Sequence, residues 1–170
     1  MQRVERAGIV VALAATCAAV YGTFAATAAP AADTASVLAR GRYLVVYGSC
    51  NDCHTPGWSD SDATLPQSAW LTGNKVGFRG AWGTTYPVNL RLDFQTLHED
   101  EWVNAIRTRG GHPPMIWHNL RALSPADRHA IYAFVRSLGP AGSPAPAPVP
   151  PWREPLTPYI DLRVQQPAAR

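Results

Sequence analysis

Cys50-Asn51-Asp52-Cys53-His54 places two thiols three positions apart and an imidazole directly after the second. On one helical turn, both thiols can reach one edge of a porphyrin and each form a thioether with a vinyl group. The next side chain then swings beneath the ring. This is the spacing of covalent haem attachment, with Cys50 and Cys53 as tethers and His54 as an axial iron ligand. Three other chemistries use paired cysteines. A thioredoxin-like redox pair needs a βαβ setting, and nothing beside Cys50 alternates like a strand. A zinc site needs a second pair at ligand spacing, and none follows. A disulfide between Cys50 and Cys53 closes too short a loop to stabilise much.

The chain of 170 residues is long enough for one domain with appendages. Arg3 and Arg6 precede an uncharged run over residues 7–29, and small residues cluster at Ala28 and Ala31. Residues 1–31 therefore read as an export signal, cleaved after Ala28 or after Ala31. An uncleaved anchor fits the same run, which is long enough to span a bilayer, although its Ala, Gly and Thr content makes it weakly hydrophobic. Lipidation of Cys17 would want a large aliphatic residue in the preceding Ala14-Ala15-Thr16. With Cys17 inside the leader, the mature chain keeps Cys50 and Cys53 alone. An exported domain without disulfides needs another source of stability, and a buried macrocycle supplies one. The formal charge of +3 points to no nucleic-acid partner, and a membrane enters only if the leader is retained.

Residues 34–139 are expected to form the haem domain. Asp33, Thr34 and Ser36 are candidate caps of a helix in which Val37, Gly41, Leu44 and Gly48 share a face. A mid-helix glycine costs up to about 1 kcal/mol. Gly41 is either a notch for a second helix or simply tolerated. Residues 55–90 lose periodicity and carry Trp58, Trp70 and Trp82 among glycines and prolines. A loop of that length usually wraps something, here a haem. Residues 77–83 suggest a short hairpin or Ω-loop. Tyr86, Asn89 and Arg91 are candidate donors to haem propionates, or ordinary groups that order the loop.

A second helix begins near His98, with Glu99, Asp100 and Glu101 in its first turn, and Gly110-Gly111 ends it. Then Met115 follows Pro113-Pro114, which stiffen the backbone around it. An extended Met-bearing loop is what the iron face opposite His54 requires, so Met115 is the candidate sixth ligand, with His112 and His118 as rivals. His98 and His129 read as surface residues. A third helix opens on Ser124-Pro125-Ala126-Asp127 and presents Ile131, Phe134, Val135 and Leu138 on one face. It is the natural partner of Gly41. Residues 140–170 are rich in Pro and Ala and read as polyproline or irregular coil, either a spacer or a tail. Trp152, Leu156, Tyr159 and Ile160 favour a tail lying along the domain as far as Leu162.

In order, a helix with Gly41, Cys50-x-x-Cys53-His54, a Trp-rich loop, Pro114-Met115 and a helix ending Phe134-Val135-Arg136-Ser137-Leu138 resembles class I cytochrome c. Gly83-Thr84-Thr85-Tyr86, then Asn89, Trp102 and Pro113-Pro114-Met115, is similar to the cytochrome c modules of bacterial periplasmic alcohol and aldehyde dehydrogenases. The resemblance covers residues 37–138. It implies an all-α fold of three main helices whose loops wrap one covalent haem c. It also implies a non-enzymatic carrier of single electrons between a dehydrogenase donor and a cytochrome or oxidase acceptor. A non-catalytic subunit of a larger complex is the alternative, and a gas sensor or haem enzyme with a labile Met ligand is a third reading. Those dehydrogenase subunits usually carry several haem modules, whereas this chain has one attachment motif. Their second-helix cap is usually Ser or Thr, where this chain has His98, and the Pro-rich tail lies outside the shared segment.

Overall fold

In the computed structural model, residues 33–166 are described. The expected leader over residues 1–31, including Cys17, lies outside them. Among the described residues no helix is long and apolar enough to cross a membrane.

Two long helices carry the core. Helix α1 (Thr34–Tyr47) is capped by Asp33, whose carboxylate accepts from the Ser36 N–H at 2.8 Å. Helix α6 (Pro125–Ser137) is capped by the Ser124 hydroxyl, which accepts from the Asp127 N–H at 3.1 Å. The two pack face to face, and Gly41 is buried where they meet. Leu44, Val45, Ala130, Ile131, Phe134 and Val135 form this part of the core.

Four shorter α-helices, α2 (Cys50–His54), α3 (Leu90–Thr96), α4 (Glu99–Thr108) and α5 (Trp117–Ala122), join two 3-10 turns at Ser59–Ser61 and Gln67–Ala69. Helix α4 starts at His98, whose N–H donates to the Glu101 carboxylate at 2.8 Å, and it buries Trp102 and Ile106. Trp102 meets Phe94 of α3 edge-on, 5.3 Å between centroids.

The long loop and the tail differ from an all-α expectation. Strands β1 (Gly77–Gly80) and β2 (Gly83–Thr85) make an antiparallel hairpin. From the tail, β3 (Tyr159–Asp161) adds in parallel to the other edge of β1, pairing Phe78 with Ile160. The physical reason is an open edge: a hairpin leaves a row of unpaired N–H and C=O groups that any extended segment can satisfy. Trp58 and Trp70 lie in the protein core, Trp58 edge-on to Trp70 at 5.2 Å and Trp70 next to Phe134 at 6.3 Å. Apolar loop residues reached the helical core because α1 and α6 present an apolar face there.

Candidate haem site

Helix α2 is a single turn holding Cys50, Cys53 and His54. Ser49 precedes it in the left-handed region (φ 56°), which breaks the axis of α1 and redirects the chain. Thr55 follows in extended conformation and ties the turn down. Its hydroxyl donates to Asn51 Oδ1 at 2.7 Å and accepts from the Leu71 N–H at 2.8 Å. Asn51, one of the two residues between the cysteines, is fully buried, and its Nδ2 has no protein acceptor.

His54 is buried, and its Nδ1 lies 2.8 Å from the Val88 carbonyl oxygen. A carbonyl only accepts, so Nδ1 carries the proton and Nε2 keeps its lone pair. Burial pushes the His54 pKa down, opposed by the Val88 bond and the Asp93 carboxylate. The ring is therefore held neutral in one tautomer, the state in which imidazole ligates a metal. The backbone around it is also fixed: the Gly73 N–H donates to the His54 carbonyl at 2.8 Å.

Neither cysteine is in a disulfide. Burial pushes the Cys50 thiol up to about 11, and burial followed by the Asp52 charge raises Cys53. A redox-active Cys-x-x-Cys pair depends on a lowered thiol pKa, so these environments oppose that chemistry. Among the described residues no group of three or more His, Cys, Asp or Glu converges as a metal site. Helix α2 brings together one imidazole nitrogen and two thiols, and the Met115 thioether lies on the separate segment between α4 and α5.

Met115 lies in the irregular segment between α4 and α5 and is 38% exposed. Two contacts hold that segment. The His112 ring stacks on Trp82, 4.7 Å between centroids and 2° from parallel. Gly111 lies against the Trp117 indole so closely that a Cβ would stand 2.1 Å from its Nε1. Trp82 Nε1 is buried without a protein acceptor. His118 is exposed on α5, and exposed His129 pairs with Glu99 at 3.0 Å.

Large apolar side chains stand open around these elements. Tyr47, three residues before Cys50, is 76% exposed, Val88 44% and Ile116 40%. Exposed apolar groups beside donors of this type suit a flat apolar cofactor that brings four ligands of its own. The residues present fit a haem c in donor chemistry: two thiols for thioethers, the free Nε2, and a thioether.

Tyr86, Asn89 and Arg91 have their polar atoms engaged by the protein. The Tyr86 hydroxyl shares a 2.7 Å hydrogen bond with Thr157. Asn89 caps α3 through Oδ1 and donates from Nδ2 to the carbonyls of Ala141 and Ser143. Arg91 donates to the Ser68, Leu138 and Gly139 carbonyls, so its cation sits at the negative end of the α6 dipole. These bonds tie the loop to the end of α6 and to the tail. Arg79 was not singled out by sequence reasoning. It is buried and donates to Thr84 Oγ1, the Pro151 and Arg153 carbonyls and Glu154 Oε1 at 2.9–3.2 Å. Its only sequence cue is a cation within a glycine-rich strand.

The chain is similar to the gluconate 2-dehydrogenase cytochrome c subunit of Pantoea cypripedii, 34% identical over 127 residues. The match takes in 65% of this chain but 28% of the relative's length. No protein-family model matches the chain, and no solved structure is significantly similar to it.

Proposed function

We propose that the chain is an exported, monohaem cytochrome c module that passes single electrons from a dehydrogenase to a respiratory acceptor. In this reading residues 34–139 would hold the haem, with Cys50 and Cys53 as its tethers and His54 and Met115 as the residues that would bind its iron. The observation that carries it is the His54 ring. Its Nδ1 is engaged by Val88 while Nε2 remains available on the same turn as two unpaired thiols. Similarity to a dehydrogenase cytochrome c subunit supports the same assignment. Haem c supplies one-electron Fe(III)/Fe(II) exchange. The chain's own part is to hold the imidazole in one tautomer, to present a thioether that favours the ferrous state, and to keep the group attached outside the cytoplasm.

Membership of a larger complex is the second reading, favoured by tail side chains that cover nothing: Trp152 is 85% and Leu156 fully exposed.

The test is maturation with haem in a periplasmic expression host. The wild-type chain should retain haem through denaturing electrophoresis, and Cys53→Ser should lose most of it. Equal retention would overturn the tether assignment. Met115→Ala should lower the reduction potential and let the ferrous protein bind CO. An unchanged spectrum and potential would remove Met115 from the iron.

A further inference from the structure

We propose that Trp82 is a positioning residue for Met115: its indole, stacked on His112, clasps the Met115 segment to the stretch of chain that engages His54. The proposal rests on Met115 being an iron ligand. Residues 110–116 are all exposed. None of the hydrogen bonds among the described residues involves residues 110–115, and the nearest one upstream ends on the Arg109 carbonyl. A distant part of the chain meets them through an aromatic contact instead. The His112 imidazole lies on the Trp82 indole, 4.7 Å between centroids and 2° from parallel.

The indole is held on its own side of the stack. Gly80 and Gly83 pair across the Ala81-Trp82 turn of the β1–β2 hairpin. A Cβ on Gly80 would stand 2.4 Å from Trp82 Cζ3 and Cη2, so the ring lies where only glycine leaves room. Gly83 has φ 103°, and a Cβ there would stand 2.2 Å from the Val149 carbonyl oxygen, which seats the turn against the tail. From Trp82 the chain runs six residues to Val88, whose carbonyl accepts from His54 Nδ1. From His112 it runs three residues to Met115, and the two between are Pro113 and Pro114, each with a fixed φ. Where His112 stands therefore restricts where the Met115 thioether can stand. One stack thus joins the stretch that orients His54 to the stretch that carries Met115.

CO binding to the ferrous, haem-loaded chain reads how often the iron is left open, and Met115→Ala sets the open limit. Trp82→Ala should speed CO association by roughly threefold to tenfold and lower the reduction potential. Trp82→Phe keeps a ring for His112 and should stay close to wild type in both readings. His112→Ala should match Trp82→Ala, and the double variant should be no faster than either single one. Nuclear Overhauser effects between the two rings in the ferrous protein should report the stack directly, and their absence overturns the proposal. A Trp82→Ala chain that binds CO at the wild-type rate, while Met115→Ala binds it fast, overturns the clasp and leaves the proposed function standing. So does a Trp82→Phe chain as fast as Trp82→Ala, which would assign the effect to the indole N–H. Should Trp82→Ala fail to retain haem, His112→Ala decides in its place, because that side chain is exposed, and a wild-type CO rate there overturns the clasp. If Met115→Ala binds CO no faster than wild type, or the chain takes up no haem, the ligand assignment fails and the clasp falls with it.

Discussion

Replacing Gly41 by alanine puts a methyl group where helix α6 already stands. The new Cβ would lie 2.0 Å from the Ala130 carbonyl oxygen, 2.7 Å from its carbon and 2.6 Å from Phe134 Cβ. Favourable carbon–oxygen contacts settle at about 3.3–3.6 Å, so α1 and α6 must part by more than roughly 1 Å. A gap of that size forfeits roughly a quarter to a half of each dispersion contact across it. Overpacking of a close-packed site costs roughly 1–3 kcal/mol, and the backbone oxygen places this case at the upper end. Alanine recovers up to about 1 kcal/mol in helix propensity, leaving a net loss of about 2 kcal/mol. In a domain of this size that is a fall of roughly 5–10 °C in Tm. Urea titration followed by far-UV circular dichroism, with a thermal melt alongside, measures it. Truncating Phe134 as well should not rescue the variant, because the worst overlap is with backbone. The sign discriminates sharply: an alanine variant as stable as wild type, or more so, would show that Gly41 is merely tolerated and that the notch reading is wrong.

Thr55→Val keeps the volume but removes a hydroxyl that serves two buried partners, Asn51 Oδ1 and the Leu71 N–H. Leaving that N–H unpaired should cost about 1–3 kcal/mol, read as a lower urea midpoint, and an unchanged midpoint would mean that another acceptor replaces the hydroxyl. The hydrogen bond from Arg40 holds the Asp127 carboxyl below the usual carboxylate range, only partly offset by burial. The folded pKa lies below the unfolded one, so the contribution is full above about pH 4 and is lost as pH falls through the folded pKa. Both groups sit at the surface, so the effect is small. Between pH 5 and 3 the wild type should lose slightly more stability than Arg40→Met, and superimposable curves would refute the pairing.

What could be read from the chain is what acts over one turn. A cap lies three residues from the N–H it satisfies, so Asp33, Ser124 and the acidic turn after His98 announce their helices locally. The pentapeptide is equally local, since the thiols and the imidazole share one turn wherever the turn is placed. Helix α3 is less legible although Asn89 caps it, because an asparagine in a glycine-rich loop fits a reach toward a cofactor as well as it fits the Leu92 N–H. Residues 77–83 did suggest a hairpin, but the strand that completes the sheet comes from some eighty positions later, and no local periodicity reports it.

The remaining difference turns on what a buried donor reveals. Tyr86, Asn89 and Arg91 are polar residues near the haem motif that fold into the interior, and burial demands acceptors for them. The residue type states the demand but not the supplier. The Thr157 hydroxyl and carbonyls at Ser68, Leu138, Gly139, Ala141 and Ser143 supply acceptors here. The Leu138 and Gly139 carbonyls are free because α6 ends there and Gly139 and Pro140 stop further helix, and those of Ala141 and Ser143 belong to the turn that follows. Thus the end of one helix and the start of the tail create the acceptors that organise the loop on the His54 side. The tail is held at two places: by Asn89, the neighbour of the His54 acceptor Val88, and by buried Arg79, whose guanidinium would lose the Pro151 and Arg153 carbonyls and the Glu154 carboxylate on its removal.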